Sequence, residues 1–149
     1  MTKKMSNTMI NVKKSIVPCI MIILGAWGCT QPEGFTPPED PLDAGREFIR
    51  ALLDGDYEKG ALYILNDPED LEIYKRYERY MKKQPRKELL NLKSASIIIN
   101  NLENRGDSIC IINFSNSHSM KPMDLKIVKI EGDWKVDLSY TFSGNLPLE

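Results

Sequence analysis

Residues 73–114 read IYKRYERYMKKQPRKELLNLKSASIIINNLENRGDSICIINF, and the fold turns on a change of period inside them. At about 100° per residue, Ile73, Tyr74, Tyr77, Tyr80 and Met81 fall within roughly a 120° arc, the pattern of an amphipathic helix. Lys75, Arg76, Arg79, Lys82 and Lys83 fall on the opposite side. Pro85 ends that helix near Gln84, because proline disfavours helical backbone in the residue before it. Arg86 to Leu92 reads as one more helical turn or a lead-in. After Lys93 the period becomes two. Ser94 to Leu102 is an isoleucine-rich strand, Asn104-Arg105-Gly106-Asp107 a turn, and Ser108 to Phe114 the returning strand of a long hairpin.

Working outward, the downstream segment continues the sheet. Leu125 to Ile130 reads as a strand closed by Glu131-Gly132-Asp133. Trp134, Val136, Leu138, Tyr140 and Phe142 then alternate with Lys135, Asp137, Ser139 and Thr141, as in a strand with one apolar and one polar face. Upstream lie two more helices. Asp40-Pro41-Leu42-Asp43 supplies an N-cap, a first-turn proline and an acid near the positive end of the dipole. Phe48, Ile49, Leu52 and Leu53 form the apolar stripe, and Gly55 stops it. Asp56 caps a short second helix to Leu65, and Asn66-Asp67-Pro68 leads into the third. Helices followed by antiparallel strands predict an α+β fold: three N-terminal helices packed on a curved sheet of about four strands. Ile97 to Ile99 and Ile109 to Ile112 are apolar on both faces, which fits either the plain β-propensity of a central strand or a face without helices that strong sheet curl or a second copy of the chain covers.

The first residues carry an address. Met1 to Lys14 is polar, with Lys3, Lys4, Lys13 and Lys14 and no acid. Ile16 to Gly28 is almost wholly apolar, too short for the roughly 20 residues of a membrane span and the right length for a signal-peptide core. Ala26-Trp27-Gly28-Cys29 resembles a bacterial lipobox, which implies cleavage before Cys29 and acylation of its thiol. Two acyl chains suffice for stable anchoring. Thr30, rather than Asp, after the cysteine implies the outer membrane of the bacterial cell envelope by the common sorting rule. The expected organisation is a signal peptide over 1–28, an acylated cysteine and Pro-rich tether over 29–40, and a domain over 41–149. At ~3.1 Å per residue, the stretch Thr30 to Asp40 reaches roughly 30 Å as an extended, non-folding linker.

Composition narrows the function classes. The chain has 149 residues, 42% hydrophobic and 28% charged, with a formal net charge of −1. That is one globular domain without the basic excess that nucleic acid requires. Downstream of residue 28, Lys+Arg falls from 20 to 16 while Asp+Glu stays at 21, leaving −5. Cys19 leaves with the signal and Cys29 is acylated, so Cys110 has no intrachain disulfide partner and is expected as a buried, inert thiol. One histidine and three cysteines at these spacings make no zinc site, and no cofactor is implied.

Ala51-Leu52-Leu53-Asp54-Gly55-Asp56-Tyr57, the hairpin with Gly106-Asp107, and Glu131-Gly132-Asp133-Trp134-Lys135-Val136-Asp137 together resemble the nuclear-transport-factor-2-like (cystatin-like) superfamily. More narrowly, residues 41–142 resemble small bacterial lipoprotein domains of that cone-shaped fold. The resemblance implies isomerases, dehydratases, small-ligand binders or interaction modules, and fold alone does not choose among them.

A non-catalytic role follows from the side chains. No Asp or Glu lies in the apolar phase of the better-patterned strands, and His118 sits in a polar loop between Ser117 and Ser119 with no acid evident to complete a triad. The alternative is a small isomerase- or dehydratase-like enzyme using the cone cavity. Tyr63, Tyr74, Tyr77, Trp134, Tyr140 and Phe142 are the candidates to line a ligand pocket between the third helix and the sheet; the same rings are ordinary core residues. The expected partners are a membrane, through Cys29, and a small ligand, an envelope protein or a second copy. The basic stripe of the third helix suits anionic headgroups or plain solvation. Arg105-Gly106-Asp107 spells an integrin-type tripeptide where a turn needs Gly and Asp anyway. Asp107-Ser108-Ile109 resembles an acceptor for bacterial O-glycans.

Overall fold

A computed structural model describes residues 34–142. The expected signal peptide (1–28), the expected acylation site Cys29 and the first residues of the expected tether lie outside the described residues. By contacts the chain divides into residues 1–30 and 31–149, and the described residues lie in the second unit.

Four helices precede the sheet: α1 (Pro41–Asp54), α2 (Tyr57–Ala61), α3 (Pro68–Lys82) and α4 (Arg86–Ser94). The sheet is an antiparallel meander, β1 (Ile97–Asn104), β2 (Ile109–Asn116), β3 (Met123–Ile130) and β4 (Asp133–Asp137), in the spatial order β1-β2-β3-β4. A short helix, α5 (Leu138–Phe142), ends the described chain. The α+β class and the antiparallel four-stranded sheet are as the periodicity predicts.

The helix starts are capped as expected. Asp40 accepts from Leu42 N at 2.8 Å, and Asp67 accepts from Glu69 N and Asp70 N, each at 3.0 Å. Gly55 ends α1 at φ 74°, a left-handed conformation that glycine adopts without a Cβ penalty. The extra helix is α4. Pro85 stops α3 but sits at the N-cap of α4, where its carbonyl accepts from Glu88 N at 2.9 Å. Arg50 of α1 then holds the far end, donating to Ala95 O at 2.8 Å and Lys93 O at 3.0 Å while pairing with Asp54.

The last strand is shorter than its alternation predicts. It ends at Asp137, and Leu138 to Phe142 is helical. Asp137 accepts from Tyr140 N and from the Ser139 hydroxyl, each at 2.9 Å, and so caps the turn. Leu138, Thr141 and Phe142, three and four residues apart, are the buried residues of α5. Asp137 is therefore not simply solvated: it also pairs with Lys126 at 2.7 Å.

The core lies between α1, α3 and one face of the sheet. Phe48 and Ile49 of α1 and Ile73 and Tyr74 of α3 pack with Cys110, Ile112, Leu125, Ile127 and Val136. Gly45 brings α1 close, since a Cβ there would stand 2.6 Å from Ile112 Cδ1 and 2.7 Å from Ile127 Cδ1. The isoleucine runs divide between faces. Ile97 and Ile99 pack on the core, and a bulge at Asn100 shifts the register. On the other face, Ile111 is buried and stands in register between Glu103 and Lys126. Asn100, Asn113 and Asp124 form a hydrogen-bonded ladder beside it. The free edge of β4 is met by a parallel bridge from Ile64: Val136 N donates to Tyr63 O at 2.7 Å and Leu65 N to Val136 O at 3.1 Å.

Candidate functional site

Residues 35–39, read from the sequence as part of a linker, are held to the fold. The Phe35 ring meets Tyr63 edge-on at 5.4 Å, and Trp134 Nε1–H donates to Glu39 O at 3.0 Å. Residues 35–39 thus rest on Tyr63 and on Trp134 of β4, where the sequence reading expects a non-folding linker up to Asp40. Their irregular backbone is what Pro37 and Pro38 impose, but an aromatic anchor and a buried indole donor hold it down.

This docking creates an open groove of about 770 Å³. One wall is Gly34, Phe35, Thr36 and Pro38; the other is Asp43, Arg46 and Glu47 of α1, with Lys59 and Tyr63 across from them. Asp43, Arg46 and Glu47 share a helix face because they are three and four residues apart. Lys59 pairs with Glu47 at 2.6 Å, and that hydrogen bond raises its pKa, so the ammonium stays charged. Burial pushes the Tyr63 phenol up as well. Both shifts run opposite to what a nucleophile or general base needs. Two cations, two carboxylates and two rings make a charge-balanced site. It suits a ligand that carries both donors and acceptors.

No protein-family model, curated protein or solved structure matches this chain. Its chemistry therefore rests on its own residues.

Of the six rings proposed from sequence, Tyr63 lines this groove. Tyr74 lies in the core against Phe48 and Tyr57, and its hydroxyl donates to Tyr57 O at 2.9 Å. Tyr77 packs on Phe142 at 5.9 Å, on the α3–α5 side. Burial pushes the phenols of Tyr74 and Tyr77 strongly up. Trp134 is buried with the Lys129 ammonium over its ring, and Tyr140 is 39% exposed under Lys126. Of the six, Tyr77 and Phe142 meet each other, and Tyr63, Tyr74, Trp134 and Phe142 belong to the core. Cys110 is fully buried, and burial raises its thiol pKa, as expected for an inert cysteine.

Two polar groups escape the sequence reading. Asp70 is 1% exposed, and its carboxylate accepts from Leu138 N at 2.7 Å and Ser139 N at 2.9 Å. Burial, outweighing those two bonds, raises its pKa, with Asp67 and Asp137 adding to the rise. Both oxygens serve the first turn of α5, so its work is to hold that helix. The signal was available: Asp70 lies at three, four, seven and eleven residues before Ile73, Tyr74, Tyr77 and Met81, in their apolar phase. The second is Glu88 of α4, which meets His118 Nε2 at 2.8 Å across 30 residues of chain. It ties the β2–β3 loop to α4, while the neighbouring Ser117 hydroxyl accepts from Ser96 N. Nothing in the local sequence announces that pairing. Among the described residues, no group of His, Cys, Asp and Glu could hold a metal, and no helix is long and apolar enough to cross a membrane.

Proposed function

We propose that this chain is a lipoprotein of the bacterial cell envelope, anchored in the outer membrane through acylated Cys29. Its nuclear-transport-factor-2-like domain binds a small ligand or a partner protein without transforming it. The observation that carries the binding role is the groove that the docked tether builds with α1 and α2. Its ionic and aromatic side chains are arranged for contact, and neither Lys59 nor Tyr63 is tuned for proton abstraction. Phe35, held against Tyr63, lies six residues after Cys29 in the sequence. At ~3.3–3.6 Å per residue six steps of chain span at most about 22 Å, which keeps the groove near the bilayer. The cone resemblance is part of this proposal, and the α+β order of helices before a four-stranded meander is compatible with it.

Native mass spectrometry of the protein extracted from its own host's membranes tests this. The expected species begins at acyl-Cys29 and carries a small-molecule increment or a second polypeptide, and Phe35→Ala removes a small-molecule increment. A dimer mass would identify a second copy as the partner. A full-length, unacylated mass overturns the anchor, and a bare acylated monomer overturns the binding role.

A further inference from the structure

The strongest charge asymmetry of the molecule lies away from the groove. Residues 75–93 hold eight Lys and Arg against Glu78 and Glu88, in a chain whose portion after residue 28 is net acidic. In the fold these cations do not all pair. Arg79 meets Glu72 at 3.3 Å and Lys82 meets Glu78 at 2.6 Å, but Arg86, Lys87 and Lys93 of α4 make no ion pair with any described residue. No residue of α4 is buried. Leu90, at its centre, is 56% exposed. On a helix its surface neighbours are the residues three and four away, here Arg86, Lys87, Lys93 and Ser94. An exposed leucine is thus framed by three cations that form no ion pair with any described residue.

Beside it opens an apolar groove of about 350 Å³ between α1, α3 and α4. Leu52, Leu53, Met81, Leu89 and Leu92 contribute its apolar walls, with Lys82, Arg86 and Lys93 among the residues around it. A solvated helix explains the cations but not the leucine and the groove between them. An acidic protein surface would satisfy the charges and leave the apolar walls unmatched. An amphiphile with an anionic head and an acyl chain satisfies both. We infer that the α3–α4 edge docks on a bilayer surface bearing anionic phospholipids, with headgroups on Arg86, Lys87 and Lys93 and Leu90 inserted at the headgroup–acyl boundary. The inference rests on this edge alone and does not need the anchor at Cys29.

The test uses residues 31–149, which contain the whole core described above and lack Cys29. The fragment is mixed with vesicles of phosphatidylcholine, alone or with phosphatidylglycerol, and its partition is read by flotation. It is expected on the phosphatidylglycerol-containing vesicles only, and less so as salt rises. At ~1 kcal/mol per basic residue near the surface, Arg86→Gln, Lys87→Gln and Lys93→Gln together weaken partition about 100-fold, without touching the core. A polarity-sensitive fluorophore on Leu90→Cys, selective because Cys110 is buried, shifts to the blue on anionic vesicles and not on neutral ones. Failure to partition, equal partition to neutral vesicles, an unaffected triple variant or an unmoved label overturns the inference. None of these outcomes bears on whether Cys29 is acylated.

Discussion

Asp70→Asn keeps the shape of the side chain and removes one acceptor. The wild-type carboxylate takes Leu138 N at 2.7 Å on one oxygen and Ser139 N at 2.9 Å on the other. An amide offers one oxygen, so whichever way it turns, one of these first-turn N–H groups faces an NH₂. Leu138 is fully buried, and water does not replace the lost acceptor there. Leaving a buried donor unpaired costs about 1–3 kcal/mol, and hydrogen bonds to a charged acceptor lie at the upper end, so about 2–3 kcal/mol is expected at pH 7. For a domain of this size each kcal/mol shifts Tm by about 4–8 °C, a drop of roughly 8–24 °C by thermal unfolding. The pH dependence is a second readout. Because burial lifts the folded pKa above the ordinary 3.8, the folded state holds the proton more tightly than the unfolded one. That contribution is fully present below 3.8 and is lost as pH rises through the folded value. The difference between wild type and Asp70→Asn therefore widens as pH falls from 7 towards 4. A cost under about 0.5 kcal/mol would refute the capping role. A difference that narrows on acidification would refute the dominance of burial over the two N–H bonds.

Asp137 carries the opposite sign. Burial works to raise its pKa, but Lys126, Tyr140 N–H and the Ser139 hydroxyl outweigh it and hold it below 3.8. Its stabilisation is present above that value and lost as pH falls below it, so Asp137→Asn costs about 1 kcal/mol in urea melts at pH 7 and progressively less below pH 4. At Gly60, an added methyl would meet the Tyr74 hydroxyl well inside contact distance. Gly60→Ala is expected to cost about 1–3 kcal/mol alone and under about 1 kcal/mol in a Tyr74→Phe background, a non-additive cycle measured by denaturant unfolding. Phe35→Ala removes the edge contact to Tyr63, worth about 0.5–1.5 kcal/mol, and should expose the chain before Asp40 to limited proteolysis while α1 stays protected.

What the sequence made legible was periodicity, and what it concealed was polar geometry at a distance. The change from a 3.6 to a 2 period after Lys93 is a local property, and the hairpin from β1 to β2 follows from it. Helix α4 is short and buries no residue, so it has little stripe to read; it is held by Arg50, more than 40 residues away. The alternation from Trp134 to Phe142 is equally compatible with a strand throughout and with a strand ending in a turn that buries Leu138, Thr141 and Phe142. Two carboxylates decide between them. Asp137 caps the turn locally, and Asp70 reaches it from α3 across the core. Asp70 was legible in one respect, as the acid standing in the apolar phase of Ile73, Tyr74, Tyr77 and Met81. An acid there costs free energy unless something donates to it. The donors nearest to hand are backbone N–H groups that a strand would have spent on its ladder, and a helix start leaves free. A carboxylate in the apolar stripe of one helix is thus a reason to doubt the last turn of the strand that packs against it, and the groove obeys the same logic. Pro-rich residues 35–39 read as linker until a ring and a backbone carbonyl are matched to Tyr63 and Trp134, neither of which lies near them in the chain.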